Sequence, residues 1–159
     1  MKFLKIIFCF LIIASLFSCT SDDDICVGGE ATPRMKMKFK TKSTGKLKTL
    51  DSLYVNVDYG NGQIPVIARK TKTDSVFIPL RVDNNPFTEI YVGTSKTAIT
   101  SKIKISYTTA SQYVSPACGV KRIYENVSSV MRVANQVLET EQNQNQIVDE
   151  SKTHLFLLF

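Results

Sequence analysis

The sequence predicts an all-β protein, an antiparallel β-sandwich of immunoglobulin-like or related type with about seven to nine short strands. Apolar and polar residues alternate along several segments, which is the period of a strand with one buried face. Turn-forming residues separate these segments at intervals of roughly ten residues. Short strands at this spacing are typical of sandwiches and barrels.

The first predicted strand begins near Arg34 and has one apolar and one basic face. Its apolar positions are Met35, Met37 and Phe39. The alternate positions form a basic row, which we define as Arg34, Lys36, Lys38, Lys40 and Lys42. A period of two places these two sets on opposite faces, so the apolar set is expected to cover the core.

The same alternation predicts the following strands. Their apolar faces are Leu53, Val55, Val57 and Tyr59; Val76, Ile78, Leu80 and Val82; Ile90 and Val92; and Ile103, Ile105 and Tyr107. Gly60-Asn61-Gly62 contains the Asn-Gly pair that suits a tight hairpin. Asp83-Asn84-Asn85-Pro86 predicts a longer loop.

The segment 123–140 has two interpretations. Apolar residues fall there at helical spacing, so the alternative fold is a sandwich with one helix near 123–140. The many β-branched residues, with Asn126, Ser128 and Ser129, favour strands instead. Residues 141–146 predict a polar loop, and 155–159, apolar on both faces, a well-covered final strand.

The first 18 residues predict a lipoprotein signal peptide that is removed. Lys2 and Lys5 precede an apolar run from Ile6 to Phe17, and Ser18 precedes Cys19. This run has 12 residues, whereas a helix that spans a bilayer needs roughly 20. Cleavage would leave Cys19 as the lipidated amino terminus, followed by an acidic tether, 19–33, and a single domain, 34–159.

The tether contains Ser21, Asp22, Asp23 and Asp24. Three carboxylates would be repelled by an anionic membrane surface, so the segment is not a lipid-binding patch. It is either a solvated spacer or a sorting signal. The serine and acidic run resembles the export signal that sends Bacteroidota lipoproteins to the outer face of the outer membrane.

Two cysteines remain in the mature chain, Cys26 and Cys118. In an oxidising compartment they suggest a disulfide, and two unpaired buried thiols are the alternative. The bridge would close a loop of 92 residues. Cys26 lies seven residues after Cys19, a reach of about 24 Å, so the bridge would hold the domain close to the membrane.

The inventory of residues argues against catalysis, and we expect no enzyme, catalytic residue, metal or cofactor. The chain has one histidine, His154, so paired-histidine metal sites and the usual Ser/His/Asp triad spacing are missing. Glu139 with Glu141, or Asp149 with Glu150, fits solvated loop charge better than an acid and base pair. The mature chain has 18 basic and 14 acidic residues, a mildly basic balance that does not favour nucleic acid.

The basic row is the main candidate binding surface. It could meet an anionic polysaccharide, lipopolysaccharide phosphates or an acidic partner. The alternative is that its lysines protect an exposed sheet edge or form a solvated face. Two further candidates are Ser52 and Ser75, because Asp51-Ser52-Leu53 and Asp74-Ser75-Val76 resemble the O-glycosylation acceptor of exported Bacteroidota proteins.

Several motifs together resemble a family. These are the lipobox at Cys19, Cys26 soon after it, Ser115-Pro116-Ala117-Cys118-Gly119 after an Ile-Lys-Ile-Ser-Tyr strand, and the terminal Thr153-His154-Leu155-Phe156. The chain in this respect resembles the Bacteroidota lipoproteins of domain of unknown function 6452. The resemblance covers most of the mature chain, and it implies a lipid anchor and a β-rich domain without a known activity.

The sequence thus predicts a non-catalytic envelope lipoprotein that acts as a binding or accessory component at the outer membrane, at the cell surface or otherwise on the periplasmic face. Its expected partners are the membrane, through the lipid on Cys19, and envelope proteins or an anionic polysaccharide. The alternative is an anion- or glycan-binding surface receptor that uses the basic face 34–48. A hydrolase is the third hypothesis.

Overall fold

The computed structural model describes residues 31–116 and 118–159, and this part of the chain consists of strands and connections without a helix. Nine strands follow in chain order: β1 (Met35–Lys40), β2 (Leu50–Asp58), β3 (Gln63–Thr73), β4 (Ser75–Ile78), β5 (Phe87–Gly93), β6 (Ser101–Ser115), β7 (Gly119–Val133), β8 (Glu139–Gln142) and β9 (Leu155–Leu158).

The strands form two sheets. The five-stranded sheet has the order β3-β2-β5-β6-β7, and all its neighbours are antiparallel. The four-stranded sheet has the order β4-β1-β9-β8. These sheets confirm the predicted all-β sandwich and its seven to nine strands. One pair departs from the antiparallel prediction, because β1 and β9 run parallel.

The core lies between the two sheets and is built from the predicted apolar faces. From the four-stranded sheet, Met35, Met37 and Phe39 are fully buried, as are Leu155 and Leu157. The five-stranded sheet contributes Leu53, Val55, Val57, Ile90, Val92, Ile103 and Ile105, all fully buried. Period-two alternation therefore located the core correctly along these strands.

The segment 119–133 is a strand, so the helical alternative for 123–140 is wrong over this stretch. Val127 and Tyr124 are buried, while Val130 and Val133 are 46% and 45% exposed. A β-bulge at Asn126, which has a positive φ of 51°, shifts the alternation of β7. Tyr124 and Val127 are therefore both buried although they lie three residues apart, a spacing that resembles that of a helix. Valines, serines and asparagine at these positions fit a strand better than a helix.

Four other details differ from the sequence predictions. Glu141 and Gln142 belong to β8 rather than to a polar loop, because they pair with Phe156 and Leu155. The strand predicted for Val76 to Val82 ends at Ile78, and Val82 is 57% exposed. The edge strand β3 escaped notice because it lacks alternation: the apolar run Ile64 to Ala68 contains a proline, the rest of the strand is polar, and most of its residues are exposed. Finally, β1 lies between β4 and β9, so the interpretation of its lysines as protection of a sheet edge is wrong.

The two ends of the sandwich differ. At one end, which we call the loop end, the connections 41–49, 94–100 and 134–138 meet. At the opposite end, which we call the arm end, lie the connections 59–62, 79–86 and 143–154. The hairpin at 59–62 forms as predicted, with Gly60 and Gly62 at positive φ values of 101° and 96°.

A two-stranded extension projects from the arm end. The last residue of β6 that pairs with β5 is Ser106, whereas the pairing of β6 with β7 continues to Ser115 and Gly119. We call the segments 109–115 and 119–123 the hairpin arm. At its root Tyr107 and Tyr124 pack edge to face, with ring centroids 5.0 Å apart. Beyond this pair no other strand of the described chain lies over the arm; Ser111, Gln112, Tyr113 and Val120 are exposed, and its other residues are half-buried.

Candidate functional site

A pocket opens on the outer face of the five-stranded sheet, next to the loop end. Its volume is about 270 Å³. The floor comes from β2 and β5, one wall from the edge strand β3, and the other wall from the connection 94–100. Its lining residues are Tyr54, Asn56, Pro65, Ile67, Ala68, Tyr91, Ser95, Lys96 and Thr100. We call it the tyrosine pocket.

The strand register places the two tyrosines side by side. Tyr54 lies opposite Gly93, and Asn56 lies opposite Tyr91, so the tyrosines are diagonal neighbours on one face. Such neighbours are within reach of each other's aromatic side chains. Because Gly93 has no side chain, the connection 94–100 can fold closely over the end of β5: a Cβ at Gly93 would lie 3.4 Å from Cγ2 of Thr100.

Hydrogen bonds hold the connection that forms the second wall. The hydroxyl of Ser52 donates to the Thr94 carbonyl, and the Thr94 hydroxyl donates to Oε1 of Gln136 at 2.8 Å. The side-chain amide of Asn135 donates to the Thr100 carbonyl at 3.1 Å. Both ends of the connection are therefore held by hydrogen bonds to neighbouring strands and loops. The second wall of the pocket is thus preorganised for binding.

The pocket is bordered by positive charge. Lys96 makes no ion pair within the part of the chain that the structure describes, and it is exposed. Lys102 lies 2.8 Å from a Glu89 carboxylate oxygen and 5.3 Å from the Tyr91 ring centroid. Hydrogen bonding to Glu89 raises the pKa of Lys102 above its ordinary value. Lys102 is therefore engaged with Glu89, and of the two lysines only Lys96 is available to a ligand.

A second pocket lies at the arm end and has a volume of about 340 Å³. Tyr59, Pro79, Leu80 and Val82 supply most of its lining. Its two charged groups, Arg81 and Asp83, already pair with each other, and the Tyr59 hydroxyl donates to the Pro79 carbonyl at 3.0 Å. Both charged groups of this pocket are therefore engaged. In the tyrosine pocket the Tyr91 hydroxyl donates to Glu89 and the Asn56 amide to Gln63, each at 3.3 Å, but the charged group, Lys96, makes no ion pair within the described residues, so the tyrosine pocket is the stronger candidate.

The basic row lies on the outer face of the four-stranded sheet, and four of its members contact carboxylates. Nitrogen to oxygen distances are 2.7 Å for Arg34–Glu150, 3.6 Å for Lys38–Asp74, 2.8 Å for Lys40–Glu141 and 3.5 Å for Lys42–Glu139. The fifth, Lys36, donates to the Ser151 carbonyl at 3.1 Å. The row is therefore largely neutralised by residues from distant parts of the chain.

Aromatic rings contact three cations of the basic row, Arg34, Lys36 and Lys40. Nζ of Lys40 lies 3.9 Å from the Phe156 ring centroid, and the guanidinium of Arg34 lies 5.0 Å from that of Phe77. Such contacts add to the ion pairs in fixing the cations. The anion-binding role predicted for Arg34, Lys36, Lys38, Lys40 and Lys42 stays a prediction, and an anion would have to compete with these partners.

His154 is a structural residue of the four-stranded sheet. It is 2% exposed, and its Nδ1 accepts a hydrogen bond from the Lys36 backbone N–H at 2.9 Å. Its own backbone N–H donates to the Lys36 carbonyl at 2.9 Å. Burial lowers the pKa of His154 below its ordinary value, which favours the neutral imidazole that accepts this bond.

The predicted anchor and sorting residues, Cys19, Ser21, Asp22, Asp23 and Asp24, lie outside the described residues. The same holds for Cys26. Cys118, in the turn at the tip of the hairpin arm, takes part in a disulfide. The pairing of Cys26 with Cys118 stays a prediction.

The two predicted glycosylation sites have different surroundings. Ser52 is half-buried, and modification would require its hydroxyl to leave the Thr94 carbonyl. The Ser75 hydroxyl donates to Asp74 at 3.0 Å at the start of β4, and this bond contributes most to lowering the pKa of Asp74. Modification at both serines stays a prediction.

Within residues 31–116 and 118–159, no three histidine, cysteine, aspartate or glutamate side chains are grouped as metal ligands. No helix in these ranges is long and apolar enough to cross a bilayer.

The sequence did not reveal the tyrosine pocket. Tyr54, Asn56 and Tyr91 occupy the outer positions of β2 and β5, where polar and aromatic residues are ordinary. A detectable signal was the period of two, which puts Tyr54 and Asn56 on one face of β2 and Tyr91 on the outer face of β5. The order of the strands, which brings these faces together, was needed to recognise the site.

Comparison with known proteins identifies one relationship. A family model described as "Family of unknown function (DUF6452)" matches residues 52–159. The match begins within β2, so it omits β1 although that strand is central to the four-stranded sheet. No curated protein and no solved structure matches the chain. Because no solved structure matches, the immunoglobulin-like type of the predicted sandwich stays a prediction.

Proposed function

The chain belongs to the DUF6452 family, and from this membership and the geometry above we propose that it is a lipid-anchored, non-catalytic binding protein of the cell envelope. The observation that carries the proposal is the tyrosine pocket at the loop end, opposite the end at which the tether meets the domain. Thr32, near the end of the tether, accepts a hydrogen bond from the Arg122 backbone N–H of the hairpin arm at 3.0 Å. A protein anchored through this tether would present the pocket away from the membrane.

The pocket favours a sugar that carries an acidic group. Tyr54 and Tyr91 supply flat, partly apolar rings with polar hydroxyls, and such rings pack against a ligand at a small cost in side-chain entropy. Ser95 and Thr100 supply hydrogen-bonding groups and Lys96 supplies a cation, whereas the Asn56 amide already donates to Oε1 of Gln63 at 3.3 Å. A few polar groups among apolar walls are typical of pockets that orient a small ligand.

The anchor supports the envelope location. Lipid on Cys19 would hold the protein at the outer membrane, since two or more chains anchor a protein stably and one chain binds only reversibly. The acidic tether supports export to the cell surface.

Replacing Cys19 with alanine should release the protein from the membrane fraction, and replacing Asp22, Asp23 and Asp24 with alanine should protect it from protease added to intact cells. Unchanged membrane association of the Cys19 variant would contradict the lipid anchor. Unchanged protease exposure of the triple aspartate variant would contradict the role of the acidic tether in export.

Calorimetric titration of the purified protein tests the binding role. The probe is an oligosaccharide of uronic acids, and its carboxyl-reduced form is the matched neutral control. We expect the acidic sugar to bind more tightly, and added salt to weaken it toward the neutral form, because Lys96 acts through charge. Absence of binding by both sugars would contradict the proposed ligand class.

The alternative binding surface is the basic face 34–48. Lys46 supports it, because this exposed residue makes no ion pair within the described part of the chain. The carboxylates that contact the basic row weaken it. The hydrolase remains third, because the paired carboxylates Glu139 and Glu141 already contact Lys42 and Lys40.

A further inference from the structure

We propose that the tip of the hairpin arm lies in the membrane interface and holds the domain upright on its anchor. The contact is made by Tyr113 and Val120, and its occupant is the lipid bilayer. This inference rests on the proposed lipid anchor at Cys19, and it adds a second, non-covalent contact with the same membrane.

Tyr113 and Val120 form one exposed apolar pair. They lie directly opposite each other in the register of β6 and β7, so their side chains share a face. Each is 66% exposed, although both are large apolar residues on regular strands. The arm has left the sandwich at this point, and no other strand of the described chain covers the pair.

The tether meets the arm close to this pair. Thr32 contacts the backbone of Arg122, which lies opposite Ser111. Tyr113 and Val120 are each two residues closer to the tip, a distance of about 7 Å along a strand. The anchored end of the domain is therefore the end that carries the exposed pair.

The disulfide shortens the path to the lipid. Cys118 takes part in a disulfide and lies two residues before Val120. If its partner is Cys26, as the sequence predicts, only seven residues separate the bridge from Cys19. Their fully extended length is about 24 Å, so the arm tip cannot move far from the bilayer surface.

The chemistry of the arm suits the interface. Tyrosine is enriched at the boundary between lipid and water, where its ring is buried and its hydroxyl stays hydrated. The arm segments 109–115 and 119–123 carry two cations, Lys121 and Arg122, and no carboxylate. Because the tether adds three aspartates close to the anchor, charge alone gives no strong attraction, and the apolar pair must carry the contact.

A single tryptophan tests the position of the tip directly, because the chain has none of its own. Tyr113→Trp places the probe in the arm. The matched control is Ile99→Trp, at a position 76% exposed in the connection 94–100 at the loop end. Both full-length lipidated proteins are incorporated into phosphatidylethanolamine and phosphatidylglycerol vesicles, with and without brominated acyl chains.

We expect bromolipid to reduce the Tyr113→Trp emission at least about twofold and to leave the Ile99→Trp emission nearly unchanged, because an interfacial side chain lies about 5–10 Å into the boundary region. Equal weak quenching of both probes, in protein that sediments with the vesicles, would overturn the arm contact and leave the anchor standing. Protection of the Tyr113→Trp probe from a soluble quencher without bromolipid quenching would also overturn it, since the tip would then be covered by a second protein copy. Failure of both proteins to sediment would instead overturn the proposed anchor.

Discussion

The outer faces of the two sheets carry similar kinds of residue but use them differently. On the four-stranded sheet, the cations of the basic row contact Glu139, Glu141, Glu150 and Asp74, and aromatic rings cover some of them. On the five-stranded sheet, Tyr54 and Tyr91 border an open pocket, and Lys96 makes no ion pair within the described residues. The first face is therefore engaged in holding the fold, and the second is available to a ligand.

A row of like charges in a sequence therefore does not by itself define a binding surface. Whether the charges are available depends on which acidic residues the fold places beside them. The comparison predicts that substitutions in the four-stranded sheet change the free energy of unfolding, and that substitutions in the tyrosine pocket change ligand binding.

The largest effect is expected beneath the basic row. Phe39→Ala removes a fully buried ring that packs edge to face on Phe159, with centroids 5.9 Å apart. A buried phenylalanine truncated to alanine costs about 3–5 kcal/mol of unfolding free energy. Urea denaturation should show this loss, and Phe77→Ala, on the outer face of the same sheet, should cost clearly less. Equal losses for the two variants would contradict the assignment of inner and outer faces.

The second largest effect is expected for the ligand affinity of the tyrosine pocket. Tyr91→Ser should weaken binding of the uronic acid oligosaccharide about tenfold, equivalent to about 1.4 kcal/mol, because it removes one of the two packing rings. The unfolding free energy should fall clearly less than in Phe39→Ala, since Tyr91 is half-buried on the outer face and loses one hydrogen bond to Glu89, worth about 0.5–1.5 kcal/mol. Tyr113→Ser is the matched control in the arm, and it should leave binding unchanged. A similar loss of affinity in both variants would show that the pocket is not the site.

His154 gives the four-stranded sheet a dependence on pH. The pKa of His154 is lower in the folded protein than its ordinary value of 6.5, so the unfolded chain binds the proton first as pH falls. The stability associated with neutral His154 is therefore complete above this value and decreases as pH falls below it toward the folded pKa. Asp149, Glu150 and Lys36 are the charged groups that act on it.

His154→Gln removes this titration. We expect a loss of about 1 kcal/mol at neutral pH, typical of a perturbed buried hydrogen bond, and a flatter stability profile between about pH 8 and pH 5. Urea midpoints measured across this range for both proteins give the comparison. Parallel profiles for the two proteins would mean that another group is responsible.

The smallest effect is expected for an exposed ion pair of the basic row. Glu150→Gln disrupts the two-point contact in which Nε and Nη2 of Arg34 lie 2.7 and 2.8 Å from the carboxylate oxygens. Exposed pairs contribute about 0.2–1 kcal/mol, so the loss should fall in this range and shrink in high salt. Glu125→Gln, which affects a carboxylate without an ion pair in the described residues, is the control. A larger loss in the control would contradict the role of Arg34.

Arg34 also lowers the pKa of Glu150 below its ordinary value, through a side-chain hydrogen bond first of all. The contribution of the pair is therefore complete above pH 4.5, the ordinary value, and is lost as pH falls below it. The His154 and Glu150 effects thus act in the same direction but in separate pH ranges.

The sequence was informative where burial is regular. The strands with one apolar face, such as Leu53 to Val57 and Ile103 to Tyr107, were identified because each second residue must face the core. The edge strand β3 was missed because its apolar residues, Ile64 to Ala68, are contiguous and include a proline, so no period of two marks a buried face. Strand β8 was missed because its glutamates and glutamine also suit a loop.

The basic row and the tyrosine pocket both depend on contacts between residues that are distant in sequence. The sequence alone therefore did not predict which charges are paired or where the pocket lies. Lys40 and Glu141 are 101 residues apart, and Arg34 and Glu150 are 116 apart. Pairing of β1 with β9 and of β9 with β8 brings Glu141 to Lys40, and the connection 143–154 brings Glu150 to Arg34. No local pattern encodes these pairings. The tyrosine pocket likewise requires the β2 and β5 register and the fold of the connection 94–100, which Ser52 helps to hold.

We propose that the ligand binds in the tyrosine pocket and not on the basic row. One calorimetric titration with the uronic acid oligosaccharide should compare two variants with the unaltered protein: Tyr54→Ser with Tyr91→Ser, and Lys36→Gln with Lys38→Gln and Lys40→Gln. Glutamine is used because glutamate would face Asp74 and Glu141. We predict that the double tyrosine variant loses measurable binding while the triple lysine variant keeps an affinity within about threefold, or 0.7 kcal/mol, of the unaltered protein. Loss of binding in the lysine variant with retention in the tyrosine variant would contradict the account.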